Sequence, residues 1–280
     1  MGQNMTIIKT RDGTEIYVKN WGDGRPVILL HGWPLSADTW DVQAMALAEN
    51  GFRVISYDRR GFGRSSQPWS GYDYNSLTDD LADVMDAVDA KENVSLIGFS
   101  MGGGEVARYM SRYNGKGVVS AGLISSIVPF RLKTPDNPSG TEEEKFKETR
   151  DAIKKDRANF IRQKFIPKFF GVGTSSSPVS EELLDITAVI AMQASLRSTL
   201  ECAKSLSTTD FRADLPHFKV PTLIIHGTED KTVPIENSAR AAAKGISKAQ
   251  LIEYEGEPHG LNVTSSDRLT ADLLKFLQQN

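Results

Sequence analysis

Ser100 stands in Gly98-Phe99-Ser100-Met101-Gly102, a G-x-S-x-G pattern with an apolar run before it (94–97) and helix-forming residues from Val106 onward. A serine in that setting sits on a strained strand-to-helix turn, which lifts its hydroxyl above the sheet and leaves no room for a Cβ two residues to either side. The chemistry this suits is acyl transfer, in which the hydroxyl attacks a carbonyl carbon. A serine hydroxyl is a weak nucleophile until a base takes its proton, and histidine is the usual base near neutral pH. The chain holds four histidines. His31 and His226 precede glycine at strand ends and read as hydrogen-bonded structural residues, while His217 reads as exposed. His259 lies in the loop Glu255-Gly256-Glu257-Pro258-His259-Gly260, from which a base can reach over the edge of a sheet, and it is the candidate base. Its imidazole needs an acid to fix the tautomer and stabilise the charged form. Glu229 and Asp230 both follow a strand end closely, and the local pattern leaves either as that acid. Asp58 also follows a strand, but Arg59 and Arg60 beside it point to a structural ion pair. A tetrahedral intermediate further needs two backbone N–H donors. Met101, after the nucleophile, supplies one; in His31-Gly32-Trp33-Pro34 the proline has no N–H, which leaves Trp33 as the second.

These residues need a scaffold that gathers them on one face. Two short strands, 6–9 and 15–19, flank Arg11-Asp12-Gly13, whose Asp-Gly is a hairpin signal adding antiparallel edge strands. Apolar runs at 26–30, 53–57, 94–97, 118–124, 221–226 and 250–254 read as buried strands, separated by helical patterns at 36–49, 77–88, from Val106 and up to Ile246, with a last helix carrying Leu269, Leu273, Leu274 and Leu277. This alternation predicts an α/β fold, a mostly parallel eight-stranded sheet flanked by helices. From Val128 to about Leu215 the rhythm breaks. Pro129, Pro135 and Pro138 punctuate a loop, helices follow at 142–155 and 159–166, and 171–177 reads as a flexible connector. Ser180 then caps a further helix whose apolar side runs through Ile186, Val189, Ile190, Leu196 and Leu200. A helical cap inserted after the sixth strand is expected, so that residues 1–128 and 215–280 form the core and 129–214 the cap. Phe160, Phe165, Phe169 and Phe170 read as the core of that insertion, some of them facing what it covers.

A chain of 280 residues allows about two domains, or one large α/β domain with an insertion. The formal net charge of −3 excludes a broad basic surface, so nucleic acid is not an expected partner. Cys202 is the only cysteine, which excludes an intramolecular disulfide and fits a reducing, cytoplasmic setting. The first ten residues lack a basic-then-apolar leader, and no apolar run approaches a membrane span, so no membrane partner is expected. Met1 to Thr6 fits the bare myristoylation pattern, but Thr6 already belongs to a strand-like run and no second membrane signal accompanies it. Gly61-x-Gly63-x-x-Ser66 follows a strand yet lacks the third glycine of a dinucleotide fingerprint, and Pro68 and Gly71 stand where its helix should run. No phosphate-binding G-x-x-x-x-G-K-[ST] occurs and His and Cys do not cluster, so neither a cofactor nor a metal is expected.

The order Ser100, Asp230, His259 is that of the α/β hydrolases. The chain resembles that superfamily along its whole length, and more narrowly the bacterial cofactor-free haloperoxidase, or perhydrolase, and aryl esterase group. His31-Gly32-Trp33-Pro34-Leu35, Tyr57-Asp58-Arg59-Arg60-Gly61-Phe62-Gly63-Arg64-Ser65, the run from Gly98 to Tyr109 and Thr209-Asp210-Phe211-Arg212 carry the likeness. The resemblance implies Ser100, Asp230 and His259 as a triad, with Asp230 preferred to Glu229, and the Trp33 and Met101 amides as oxyanion hole. It also implies that Pro34, in the Trp-Pro pair of peroxide-using members, positions the Trp33 carbonyl as an acceptor for hydrogen peroxide; alternatively Pro34 only rigidifies a turn. Expected walls of the substrate pocket are Trp33, Pro34, Val128, Phe130, Val233 and Leu261. The implied activity is hydrolysis of small carboxylic esters or lactones through an acyl-enzyme, with hydrogen peroxide as an alternative acceptor and, by likeness, a homo-oligomer as the assembly. Rival readings on the same fold are C–C bond or amide hydrolysis and a hydrolase-like small-molecule receptor. Dehalogenase or epoxide hydrolase chemistry would want aspartate at position 100.

Overall fold

A computed structural model describes residues 6–173 and 179–280. Most of the myristoylation pattern and residues 174–177 of the expected connector lie outside the described residues. Eight strands form one sheet: β1 (Thr6–Lys9), β2 (Glu15–Trp21), β3 (Arg25–Leu30), β4 (Phe52–Tyr57), β5 (Val94–Phe99), β6 (Val118–Ile124), β7 (Thr222–Gly227) and β8 (Ala249–Tyr254), in the order β1-β2-β4-β3-β5-β6-β7-β8. β1 and β2 pair antiparallel through a turn in which Gly13 takes a φ of +87°, and β2 pairs antiparallel with β4. The remaining pairs are parallel, so β2 alone runs against the sheet, where the hairpin signal had implied antiparallel edge strands. Val27 to Leu30, all of β5 and all of β7 are buried, as strands covered on both faces must be.

The helices in chain order are α1 (Asp41–Glu49), α2 (Tyr74–Ala87), α3 (Met101–Arg112), α4 (Glu143–Lys155), α5 (Arg157–Asn159), α6 (Ile166–Phe169), α7 (Glu181–Met192), α8 (Leu196–Thr208), α9 (Ala239–Gly245), α10 (Leu261–Thr264) and α11 (Ser266–Gln279). A π turn (Phe160–Phe165) joins α5 to α6. The helix expected over 36–49 is divided: Ser36 caps a single 3₁₀ turn (Ala37–Trp40) before α1 begins. α3 starts at Met101 rather than near Val106. The three glycines that disguised its start lie within it because the packing leaves no alternative: an added Cβ would stand 2.4 Å from Leu30 O at Gly102, 2.1 Å from Ser126 Oγ at Gly103 and 2.5 Å from the Tyr74 ring at Gly104. The apolar side drawn from Ile186 to Leu200 is also divided, since Ser195 caps α8 as a separate helix and Ile186, Val189 and Leu196 are exposed.

Helices α4 to α8 all fall between β6 and β7 and lie over the carboxyl ends of the central strands. Several ties hold them there. Ser198 Oγ donates to Gly61 O at 2.7 Å, the Trp33 indole N–H to Thr199 O at 3.0 Å and Gly260 N to Phe169 O at 2.8 Å. Among the described residues, no helix is long and apolar enough to cross a membrane.

Candidate active site

Ser100 closes β5 and opens α3 with φ +52° and ψ −113°, a conformation that side-chain-bearing residues rarely adopt. Its N–H donates to Ile124 O at 2.8 Å and its C=O accepts from Gly103 N at 3.1 Å, so the turn is fastened at both sides. At Gly98 a Cβ would come 2.4 Å from Gly102 O. The elbow exists because both flanking positions are glycine.

His259 Nε2 lies 2.9 Å from Ser100 Oγ, and its Nδ1 lies 2.6 Å from Asp230 Oδ2. Both carboxylate oxygens of Asp230 are occupied, since Oδ1 accepts the amides of Thr232 at 2.8 Å and Val233 at 2.7 Å. A carboxylate can only accept, so Nδ1 carries the proton and Nε2 is free to receive one from the serine. Burial alone would push the Asp230 carboxyl up, but the His259 and His226 rings override it and hold the group well below the usual carboxylate range. Glu229, the other acid the pattern allowed, is exposed and bridges Lys231 at 3.5 Å. The His259 ring is wedged between Phe99 and Phe169, with ring centroids 5.4 and 5.1 Å away, and its carbonyl accepts from Ser125 Oγ at 3.0 Å.

Trp33 and Met101 carry the two amides expected to receive an oxyanion, and neither has a protein acceptor among the described residues. The Trp33 loop is locked from beneath. His31 Nδ1 donates to Gly32 O at 2.9 Å, and Nε2 accepts from Arg59 N at 2.9 Å. Burial, with Arg59 beside it, holds His31 well below its ordinary pKa, so it is a neutral strut. Arg59 pairs with Glu105 and Arg60 with Asp80, while Asp58 takes Arg64 at 2.7 Å and Ala37 N at 2.9 Å. The ion pair expected of Asp58 therefore forms with Arg64, because Arg59 and Arg60 turn inward to other acids.

A cavity of about 460 Å³ opens onto Ser100 and His259. Of the residues expected in its walls, Trp33 and Val233 line it; Pro34, Val128, Phe130 and Leu261 do not. Val128 and Leu261 are packed into the core, and Phe130 faces a smaller adjoining recess. Much of the wall comes instead from α4, the π turn, α6 and α8, through residues such as Phe146, Phe160, Phe165 and Leu206. Phe169 and Phe170 are fully buried, so the insertion's phenylalanines divide between core and cavity. His226 is the hydrogen-bonded structural residue expected, but the sequence did not name its partner. Its Nε2 lies 3.0 Å from Asp230 Oδ2 and 2.8 Å from Val233 O, so a second imidazole braces the acid. The spacing of a strand-end histidine four residues before Asp230 was the available signal.

An elbow serine, a histidine–aspartate pair from the two loops that follow β7 and β8, and a helical layer over a parallel sheet define an α/β hydrolase. The sequence bears this out: residues 25–184 match the family model described as alpha/beta hydrolase fold, and the chain belongs to that family. Residues 163–280 also match a model of the prolyl oligopeptidase family, over less than half of the chain. Within the family the likeness is to non-heme haloperoxidases and perhydrolases. A non-heme chloroperoxidase of Kitasatospora aureofaciens is 38% identical, covering 98% of this chain and 100% of that protein. A bifunctional esterase/perhydrolase of Acinetobacter calcoaceticus is 37% identical over the same shares. Among solved structures, a bromoperoxidase from Bacillus anthracis superposes with a TM-score of 0.94 at 41% identity, covering 98% of this chain and 100% of that one. The chain is an enzyme of the α/β-hydrolase type acting on small molecules.

Proposed function

We propose that this chain hydrolyses small carboxylic esters, aryl or short-chain, or lactones through a Ser100 acyl-enzyme, and that hydrogen peroxide can replace water in the second step. The unbroken run from Ser100 Oγ through His259 to Asp230, at 2.9 and 2.6 Å, carries the reading. In the first step Ser100 Oγ attacks the carbonyl carbon while His259 Nε2 takes its proton, and the oxyanion meets the Trp33 and Met101 amides. The C–O bond to the alcohol then breaks as His259 returns the proton to it. Water or hydrogen peroxide, deprotonated by His259, next attacks the acyl carbon, and the bond from that carbon to Ser100 Oγ breaks as His259 returns the proton to Oγ, releasing an acid or a peracid and restoring the serine. Halide oxidation would follow in solution, the peracid passing an oxygen to halide and reverting to the acid. Residues 129–214 serve as a cap that shapes the cavity over a core of 1–128 and 215–280, and the hydrogen bonds that Trp33 and Gly260 donate to carbonyls of α8 and α6 support that reading.

The test is turnover of p-nitrophenyl acetate by the wild type and by Ser100→Ala, each with and without hydrogen peroxide, with peracid trapped and quantified. The wild type should release p-nitrophenol and, with peroxide, form peracid, whereas Ser100→Ala should lose both by at least about 10⁴-fold. Full activity in Ser100→Ala would refute the acyl-enzyme, and hydrolysis without peracid would leave only the esterase half.

A further inference from the structure

The cavity over Ser100 has a one-sided charge. Arg131, Lys145, Lys164, Lys168 and Lys231 line it, and among the described residues no aspartate or glutamate does, in a chain whose net charge is −3. Of the arginines elsewhere that reach into the fold, Arg59 is neutralised by Glu105, Arg60 by Asp80 and Arg64 by Asp58, while half-buried Arg25, Arg53 and Arg157 are met by neutral oxygens at positions away from the cavity. Arg131 too lacks an acid, and among the described arginines it is the one that lines the cavity. Half-buried, it has one hydrogen bond, from Nη2 to Thr232 O at 2.9 Å, and its guanidinium lies 5.2 Å from the Phe146 ring centroid. Arg131, Lys145, Lys164 and Lys168 have no carboxylate partner among the described residues; Lys231 alone reaches one, Glu229. Burial pushes the Arg131 guanidinium down to about 10, with Asp230 working the other way. Lys168 is lowered by burial and by the positive charges of Arg131 and Lys145. Unpaired cations crowded around one cavity raise each other's energy, and an anion entering it relieves them all.

We infer that the cavity selects esters carrying a second, ionised carboxylate, such as half-esters of dicarboxylic acids, with Arg131 receiving that carboxylate and the rim lysines drawing it in. This rests on the ester-hydrolase reading and adds the substrate class. Arg131 is fitted to the role by its planar fork of donors, four of which are uncommitted in the structure. Its tie to Thr232 fixes the fork relative to Asp230, since the Thr232 amide donates to that carboxylate at 2.8 Å.

The experiment compares kcat/KM by pH-stat for two matched pairs, monoethyl glutarate against ethyl valerate and 4-acetoxybutyrate against butyl acetate, so that the carboxylate is offered from the acyl side and from the alcohol side. In at least one pair the wild type should prefer the anion by about 10-fold or more, mainly through KM, and the preference should weaken as ionic strength rises. Arg131→Gln should lower that ratio by about 10- to 100-fold and Arg131→Lys should recover part of it; a merely structural role would reduce both esters of a pair together and leave the ratio unchanged. A Lys164→Gln/Lys168→Gln double variant should flatten the salt dependence. Wild-type preference for the neutral ester in both pairs, or a ratio indifferent to Arg131→Gln, would overturn the inference. Calorimetric titration with glutarate separates the two readings. Binding that Arg131→Gln abolishes, in a protein that turns over no ester, would uphold the anion site while the ester-hydrolase reading fails; turnover of the neutral esters without glutarate binding would do the reverse.

Discussion

Asp230 is held between two imidazoles, and only one of them touches the serine. His226 Nε2 faces two acceptors, Val233 O and Asp230 Oδ2, so it carries the proton and donates, and its buried Nδ1 has no partner among the described residues. Together with the Thr232 and Val233 amides this donation fixes the carboxylate's plane, and with it the His259 ring. His226→Gln should lower kcat by about 10-fold with little change in KM for p-nitrophenyl acetate, whereas Asp230→Asn, which permits the wrong His259 tautomer, should lose about 10⁴-fold. The depressed pKa of Asp230 has a sign for stability as well. The folded state keeps the charge at pH values where the unfolded chain takes up a proton, so this contribution is fully present above about pH 4 and is lost as pH falls through the folded value. Melting temperature measured between about pH 2.5 and 6 should therefore fall less steeply on the acid side for Asp230→Asn than for the wild type. Ser100 and His259 were legible as candidates because an elbow pattern and a scarcity of histidines constrain them. The preference for Asp230 over Glu229 was not legible locally: it depends on which of two adjacent carboxylates the turn after β7 points inward.

At the scale of elements, the elbow is the junction on which the site depends. β3 and β5 are neighbours, so the loop bearing Trp33 and the turn bearing Ser100 emerge side by side, at the place where successive strands are added on opposite sides of β3. Strand positions were readable since buried parallel strands are continuous apolar runs. The start of α3 was not, because Gly102, Gly103 and Gly104 oppose helix by propensity and are required by the close approach of Leu30, Ser126 and Tyr74. Gly98→Ala and Gly102→Ala should each destabilise the fold by about 1–3 kcal/mol, since the atoms met are backbone that cannot rotate away. Thermal unfolding followed by circular dichroism would then show Tm lowered by about 2–10 °C, and esterase activity should fall further than stability alone explains. A Tm within about 1 °C of wild type for both variants would mean that the elbow has slack the close contacts do not suggest.

Over the whole molecule, cap and core share one interior, and this is where sequence reading had least purchase. Helical periodicity in the insertion showed that helices exist there but not which face meets the sheet, so Phe146 and the cavity lysines were invisible as neighbours of Ser100, and which of the four phenylalanines faces it stayed open, until the chain was folded. The structure instead puts α8 residues Cys202, Ala203 and Leu206 in the same buried cluster as Tyr57, Leu77 and Met101 of the core. Such sharing argues against a cap that opens freely, because lifting α8 would expose apolar surface and break the Thr199–Trp33 and Ser198–Gly61 hydrogen bonds together. Cys202 reports on this directly. It is fully buried, and burial pushes its thiol pKa up, so it is neither accessible nor ionised in the native state. Native protein should leave Ellman's reagent almost unreacted, and labelling should accelerate with urea along the same slope as the loss of circular dichroism, because the thiol is freed only when cap and core come apart with the rest of the fold. If labelling instead proceeds in dilute urea with a much shallower slope, α8 detaches on its own while the sheet stays folded. Access to Ser100 would then be controlled by that local opening, and turnover of bulky esters should rise over the same urea range in which the thiol first becomes reactive.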